Sequence, residues 1–168
     1  NAIFLDNIPM SRTHANRPLR DYPDDASYQA TVIEFLQALR AGVGSRLICA
    51  NIISQTSDVI FLQYAALLDC VLDEAWGVGW QNGYWSPTKW LSQITRTETM
   101  LAQGISVIAV AQGTATDLDR FRFAYASYLL IATEGLSFRY SNAQNSGYRQ
   151  FWHYEEFDYD LGQPIGDG

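Results

Sequence analysis

Apolar residues along this chain fall into two alternating kinds of segment. Short, nearly unbroken runs at 2–6, 46–53, 69–74, 105–112 and 136–140 have the length and β-branched content of strands buried on both faces. Between them lie longer stretches in which apolar side chains recur every three or four residues. Val32, Phe35, Leu36 and Leu39 predict a helix over 28–41 that stops at Gly42 and Gly44. Ser54 to Asp58 prepares a helix running to about Leu68, and Pro87 opens one that runs to Gln103 before Gly104. Thr116 or Asp117 caps a fourth, from Leu118 to about Thr133. The predicted order is β-α-β-α-β-α-β-α-β, and strands joined by helical crossovers must pair in parallel.

Two architectures accommodate that rhythm, an open doubly wound sheet and part of a (β/α)8 barrel. A nucleotide-binding open sheet calls for a glycine-rich turn after its first strand, but here the turn is Asp6-Asn7-Ile8-Pro9-Met10. Polar groups stand instead at successive strand tips: Asp6, Asn51, Glu74 and Gln112. A barrel collects its functional side chains at that end, so the pattern favours an α/β fold that forms the C-terminal part of a TIM barrel. With a strand period of two, Phe4 and Asp6 share one face, as do Cys70, Leu72 and Glu74, so the two acids converge if those faces point into one barrel. Asp73 alternates to the opposite face, and Asp69 and Glu134 precede their strands and belong at the far end.

The composition is that of a globular domain, with 48% hydrophobic and 17% charged residues. A formal charge of -7 and only 11 scattered Lys and Arg residues argue against a sequence-independent grip on nucleic acid. No window approaches the roughly 18 apolar residues of a membrane span, and the first residues lack the basic and apolar regions of a signal peptide. Cys49 and Cys70 fall inside predicted strands and read as small buried thiols, with no disulfide expected between them. The chain enters a strand almost at Asn1 and ends in a loop-like Gly-rich tail, so residues 1–168 read as one incomplete barrel domain cut at both ends.

Three segments carry a family resemblance: Ile3-Phe4-Leu5-Asp6-Asn7, then Leu68-Asp69-Cys70-Val71-Leu72-Asp73-Glu74-Ala75-Trp76, then Asp158-Tyr159-Asp160-Leu161-Gly162-Gln163-Pro164-Ile165-Gly166. In order and spacing they resemble the hypothetical glycoside hydrolase TIM-barrel family numbered fifteen, and more distantly the endo-α-1,4-polygalactosaminidases. The chain departs from that pattern at Cys70, where the family form has Gly, and at Asp73, where it has an apolar residue before the Glu. The second departure leaves open which of the two neighbouring acids is the functional one. The resemblance implies that the first strand here is about the fourth of a barrel, that the substrate is a carbohydrate, and that the setting is extracytoplasmic.

Glycoside hydrolysis commonly needs two carboxyl groups, one to protonate the leaving oxygen and one to act as nucleophile or base. Asp6 and Glu74 are the expected pair, with no metal or cofactor required. An acid beside apolar and aromatic surface keeps its proton more readily than one in polar surroundings. Glu74, just ahead of Ala75-Trp76, is therefore the expected general acid and Asp6 the nucleophile or base, with the reverse assignment open. Around them, Trp76, Trp80 and Trp85 offer flat apolar faces to sugars, and Asn7, Asn51, Gln112 and Tyr140 offer hydrogen bonds to hydroxyls. Each also has a bland role available, rim packing for the tryptophans and backbone bracing for the polar groups. His14 and His153 lack metal-ligand spacing, and no Ser occupies a Gly-x-Ser-x-Gly turn. Competing readings are a catalytically silent sugar-binding barrel and an α/β enzyme whose strand-tip acids hold a cation such as Mg²⁺.

Overall fold

A computed structural model describes residues 2–13, 19–53, 55, 57–79, 83–142, 150 and 152–162. Strands β1 (Ala2–Pro9), β2 (Leu47–Ile53), β3 (Cys70–Asp73), β4 (Ser106–Gly113) and β5 (Leu136–Asn142) form one sheet in the order of the chain, every neighbour parallel. Helices α1 (Asp25–Val43), α2 (Asp58–Ala65), α3 (Pro87–Ala102) and α4 (Leu118–Leu129) make the crossovers, and a 3₁₀ turn spans Glu155–Asp158. Sequential order without reversal is the order of a (β/α) barrel, here not closed, with β1 and β5 at the edges.

The helix starts are built from their own caps. Asp24 accepts from the Ser27 amide while the Ser27 hydroxyl reaches back, a reciprocal capping box at α1. Ser86 accepts from the Lys89 amide ahead of Pro87, and Asp117 accepts from the Arg120 amide.

Strand alternation sorts the sheet into two unlike faces. Ile48, Ala50, Ile52, Val71, Val107, Ala109 and Ala111 are buried on the face that the helices cover. On the other face Phe4, Leu47 and Ile108 remain 51%, 54% and 38% exposed. Parallel sheets normally bury both faces, so this second face has the character of a barrel interior.

Two expectations change. The segment at Asn7-Ile8-Pro9 continues β1 through a bulge: Leu5 pairs with Ala50 and Ile8 with Ile52, leaving Asp6 and Asn7 opposite Asn51 alone. The two cysteines are a disulfide, not free thiols. Cys49 and Cys70 are register partners on adjacent strands with Cα atoms 4.5 Å apart, inside the range that a disulfide spans.

Candidate active site

The β1 bulge aims the first acid. Asn7 takes φ 55°, a left-handed conformation that Asn tolerates better than most residues, and absorbs the extra position. Alternation is thereby reset: Asp6 stays on the uncovered face, while Ile8 and Met10 turn into the helix-side core. Asn51, 1% exposed at the tip of β2, stands directly across.

Its side-chain amide joins the two acids. Nδ2 of Asn51 donates to Oδ1 of Asp6 at 3.3 Å and to Oε2 of Glu74 at 2.6 Å. Those two oxygens can therefore be no farther apart than the sum of 3.3 and 2.6 Å. Asp6 is exposed and Glu74 is half-buried.

Asp73 points the other way, into the helix layer, and is 2% exposed. It accepts from Nε2 of Gln93 at 2.8 Å and the Ala75 amide at 3.3 Å, and Arg96 lies 3.5 Å away. Arg96, itself buried above the Phe61 ring, also donates to Asp58 at 2.7 Å. This network holds the Asp73 side chain just before Glu74 and the backbone just after it, because Gln93 also binds the Ala75 carbonyl and the Gly77 amide.

Beside Glu74 opens a cleft of about 720 Å³ between the tips of β2 and β3 and the first turns of α2 and α3. Asn51, Glu74, Trp85, Lys89, Asp58 and Arg96 are among its walls. The Trp85 indole donates to the Ala75 carbonyl at 2.8 Å, and the Lys89 ammonium rests 3.4 Å above its ring. Partial burial, and then the Arg96 charge, lower the Lys89 ammonium below the ordinary lysine range, against a pull from Asp73. Burial raises the Asp58 carboxyl, but the bonds from Ser92 and Arg96 outweigh it and hold the group below the usual carboxylate range.

The remaining expected site residues separate. Gln112 is buried at the tip of β4, beside Ser141 in register, and its carbonyl accepts from Arg120. Trp76 and Tyr140 are not at the mouth. The loop after β3 turns outward, so Trp76 is fully buried and its indole donates to the Ala124 carbonyl of α4 at 3.2 Å. Gly77 makes that path possible with φ 66° and only 3.4 Å from a notional Cβ to the Ala124 Cα. Tyr140 pairs with Ala111 on the helix-covered face, where its ring meets Phe121, Trp152 and Tyr154 and burial pushes its hydroxyl up. Trp80 and His14 lie outside the described residues, and Asn7 is exposed next to Asp6.

Sequence reasoning missed Asp58, Lys89, Ser92, Gln93 and Arg96 as parts of the cleft. A signal was present, since the last four follow the i, i+3, i+4, i+7 spacing of one helix face, and a polar stripe there marks a wall other than plain core.

With two acids bridged by one amide, and a cleft opening beside one of them, comparison of the whole sequence with family patterns becomes decisive: the description of hypothetical glycosyl hydrolase family 15 matches residues 2–168. The chain belongs to hypothetical glycosyl hydrolase family 15. No curated protein matches it. Among the described residues of this family 15 chain, no helix is long and apolar enough to cross a membrane. Nor do three His, Cys, Asp or Glu side chains gather there as a potential metal-binding group.

Proposed function

We propose that the chain supplies the two carboxylates of a glycosidase that cleaves a polysaccharide. The observation carrying this reading is the Asn51 amide, whose one nitrogen serves both Asp6 and Glu74. A scissile glycosidic linkage needs one acid on each side, and these two face a common space at the end of a parallel sheet where ligands bind.

Glu74, half-buried in a cleft wall that also includes Trp85, is cast as the proton donor to the leaving oxygen, and exposed Asp6 as the nucleophile at the anomeric carbon. One oxygen of each acid lies no farther from the other than the sum of 3.3 and 2.6 Å, a spacing compatible with the roughly 5–5.5 Å between the carboxyl groups of retaining enzymes. That supports a double displacement. Asp6 forms a glycosyl ester as Glu74 protonates the departing sugar; Glu74 then takes a proton from water, which hydrolyses the ester with net retention.

The experiment is a screen of polysaccharides with the wild-type protein, Asp6→Asn and Glu74→Gln, followed by NMR of the first product anomer. Loss of cleavage in both variants with polysaccharide binding kept, and a retained anomer, are expected. Cleavage that survives both substitutions refutes the two-acid reading. Binding without cleavage by any form, wild type included, identifies a sugar-binding barrel instead.

A further inference from the structure

The Cys49–Cys70 disulfide lies on the same face of the sheet as the two acids. By strand alternation Cys49 and Asn51 share a face of β2, and Cys70 and Leu72 share the corresponding face of β3, with Glu74 next in phase just past its end. The bond therefore crosses between the strands one side-chain row below the Asn51 amide that donates to Glu74. Resting on the two-carboxylate reading above, we propose that this disulfide is a positioning bond for the Asn51–Glu74 pair, and that opening it with a dithiol reductant lowers cleavage.

Three observations carry it. The first is the ladder between the strands. β2 and β3 pair at Cys49–Cys70, Ala50–Val71 and Asn51–Leu72, the shortest ladder of the sheet among the described residues. The second is the separate mounting of the two partners. Glu74 is set from the helix layer, where Gln93 holds Asp73 before it and Ala75 after it. Asn51 rides on β2, so the 2.6 Å hydrogen bond to Glu74 depends on how the two strands are held together.

The third is where the strands stay tied once the sulfurs part. At the lower end the Asp69 carboxylate accepts from the Ile48 amide at 2.7 Å, and the Asp69 amide donates to the Ile48 carbonyl at 2.8 Å. That end remains paired without the disulfide. Two thiols in place of the bond must move from bonded to van der Waals separation, so the covalent tie on the acid-bearing face is lost. The freedom gained falls at the upper end, where one Asn51 nitrogen serves both acids.

Reduction is thiol–disulfide exchange. A thiolate of the reductant attacks Sγ of half-buried Cys49, and the sulfur of the more buried Cys70 leaves and takes up a proton. The second thiol of the reductant then displaces Cys49 and closes its own disulfide, so two electrons and two protons pass to the protein.

The test treats the wild-type protein with dithiothreitol and follows two readouts. One is cleavage of the polysaccharide found in the screen; the other is the Asn51 side-chain amide signal by NMR, assigned by its loss in Asn51→Asp. Thiol titration should find no free thiol before reduction and two after it. On reduction the Asn51 signal should move and kcat should fall about tenfold with KM within about twofold, and reoxidation should restore both. Cys49→Ala combined with Cys70→Ala should match the reduced protein and no longer respond to dithiothreitol. Two thiols before reduction, an Asn51 signal or a kcat that reduction leaves unchanged, or global unfolding on reduction would overturn the proposal. Unfolding counts against it because the bond would then hold the fold and not the site. Wild-type protein that cleaves no polysaccharide would instead overturn the reaction reading, since the Asn51 signal reports the positioning independently of cleavage.

Discussion

Replacing Trp76 separates a sugar platform from a core residue. The indole is fully buried, donates to the Ala124 carbonyl at 3.2 Å, and follows Gly77's close neighbour α4 along the helix side of the sheet. Trp76→Ala removes a large buried side chain and leaves a cavity, a change that costs about 3–5 kcal/mol. It also strips the Ala124 carbonyl of its donor, adding on the order of 1 kcal/mol. At about 2–4 °C per kcal/mol for a chain of this size, melting should fall by roughly 8–24 °C. Trp76→Phe keeps most of the volume and loses mainly the hydrogen bond, so its drop should be only about 2–8 °C. Calorimetry or circular dichroism gives the melting temperatures. Polysaccharide cleavage measured well below them should stay within about twofold of wild type for Trp76→Phe, because the ring contacts α4 and not the cleft. A Trp76→Phe protein that melts like wild type yet loses cleavage tenfold or more would refute this placement.

Acid should destabilise the fold through two partnered aspartates. Partial burial raises the Asp69 carboxyl, but bonds from Arg40 and the Ile48 amide outweigh it, and Asp58 is likewise held low by Ser92 and Arg96. Both folded-state values lie below the unfolded one, so their stabilisation is present above about pH 4 and is lost as pH falls through the lowered values. Urea titrations from pH 6 to pH 2 should show this, and Asp69→Asn should flatten part of the decline. Gly113→Ala drives a methyl into the Tyr140 hydroxyl and to 2.9 Å from the Arg120 Cδ, so it should destabilise by about 1–3 kcal/mol in thermal or urea unfolding. Breaking the Cys49–Cys70 bridge by Cys49→Ser with Cys70→Ser releases a loop of sequence separation 21, worth about 3 kcal/mol in urea unfolding; intact mass before and after reduction checks that the bond is present.

The parallel β/α rhythm was legible because strand runs and helical spacing obey different periods, and the observed elements follow the predicted ones closely. What hydropathy could not carry was geometry set by neighbours. Asp6-Asn7-Ile8-Pro9 reads as a turn because Asn and Pro are turn residues, yet pairing with β2 continues the strand and uses Asn7 to reset its phase. The cysteines looked like buried thiols until β2 and β3 stood side by side in register. Trp76 and Trp85 lie in one aromatic segment, and only the path of the loop sends the first into the core and the second to the cleft. Glu74 does stand just past the end of β3, whereas Asp6 lies within β1, and its link to Asn51 depends on the bulge. The stripe Lys89, Ser92, Gln93 and Arg96 was in plain view, but polar helix faces are usually solvent faces, and this one meets the cleft.

The most direct measurement is a double-mutant cycle on polysaccharide cleavage with Asp6→Asn, Glu74→Gln and the two combined. Groups that act as one catalytic unit are strongly non-additive. Each single substitution should lower kcat/KM by roughly a thousandfold or more, and the pair should be within about tenfold of the worse single variant. Effects that multiply independently, or either single variant within tenfold of wild type, would contradict a shared reaction centre bridged by Asn51.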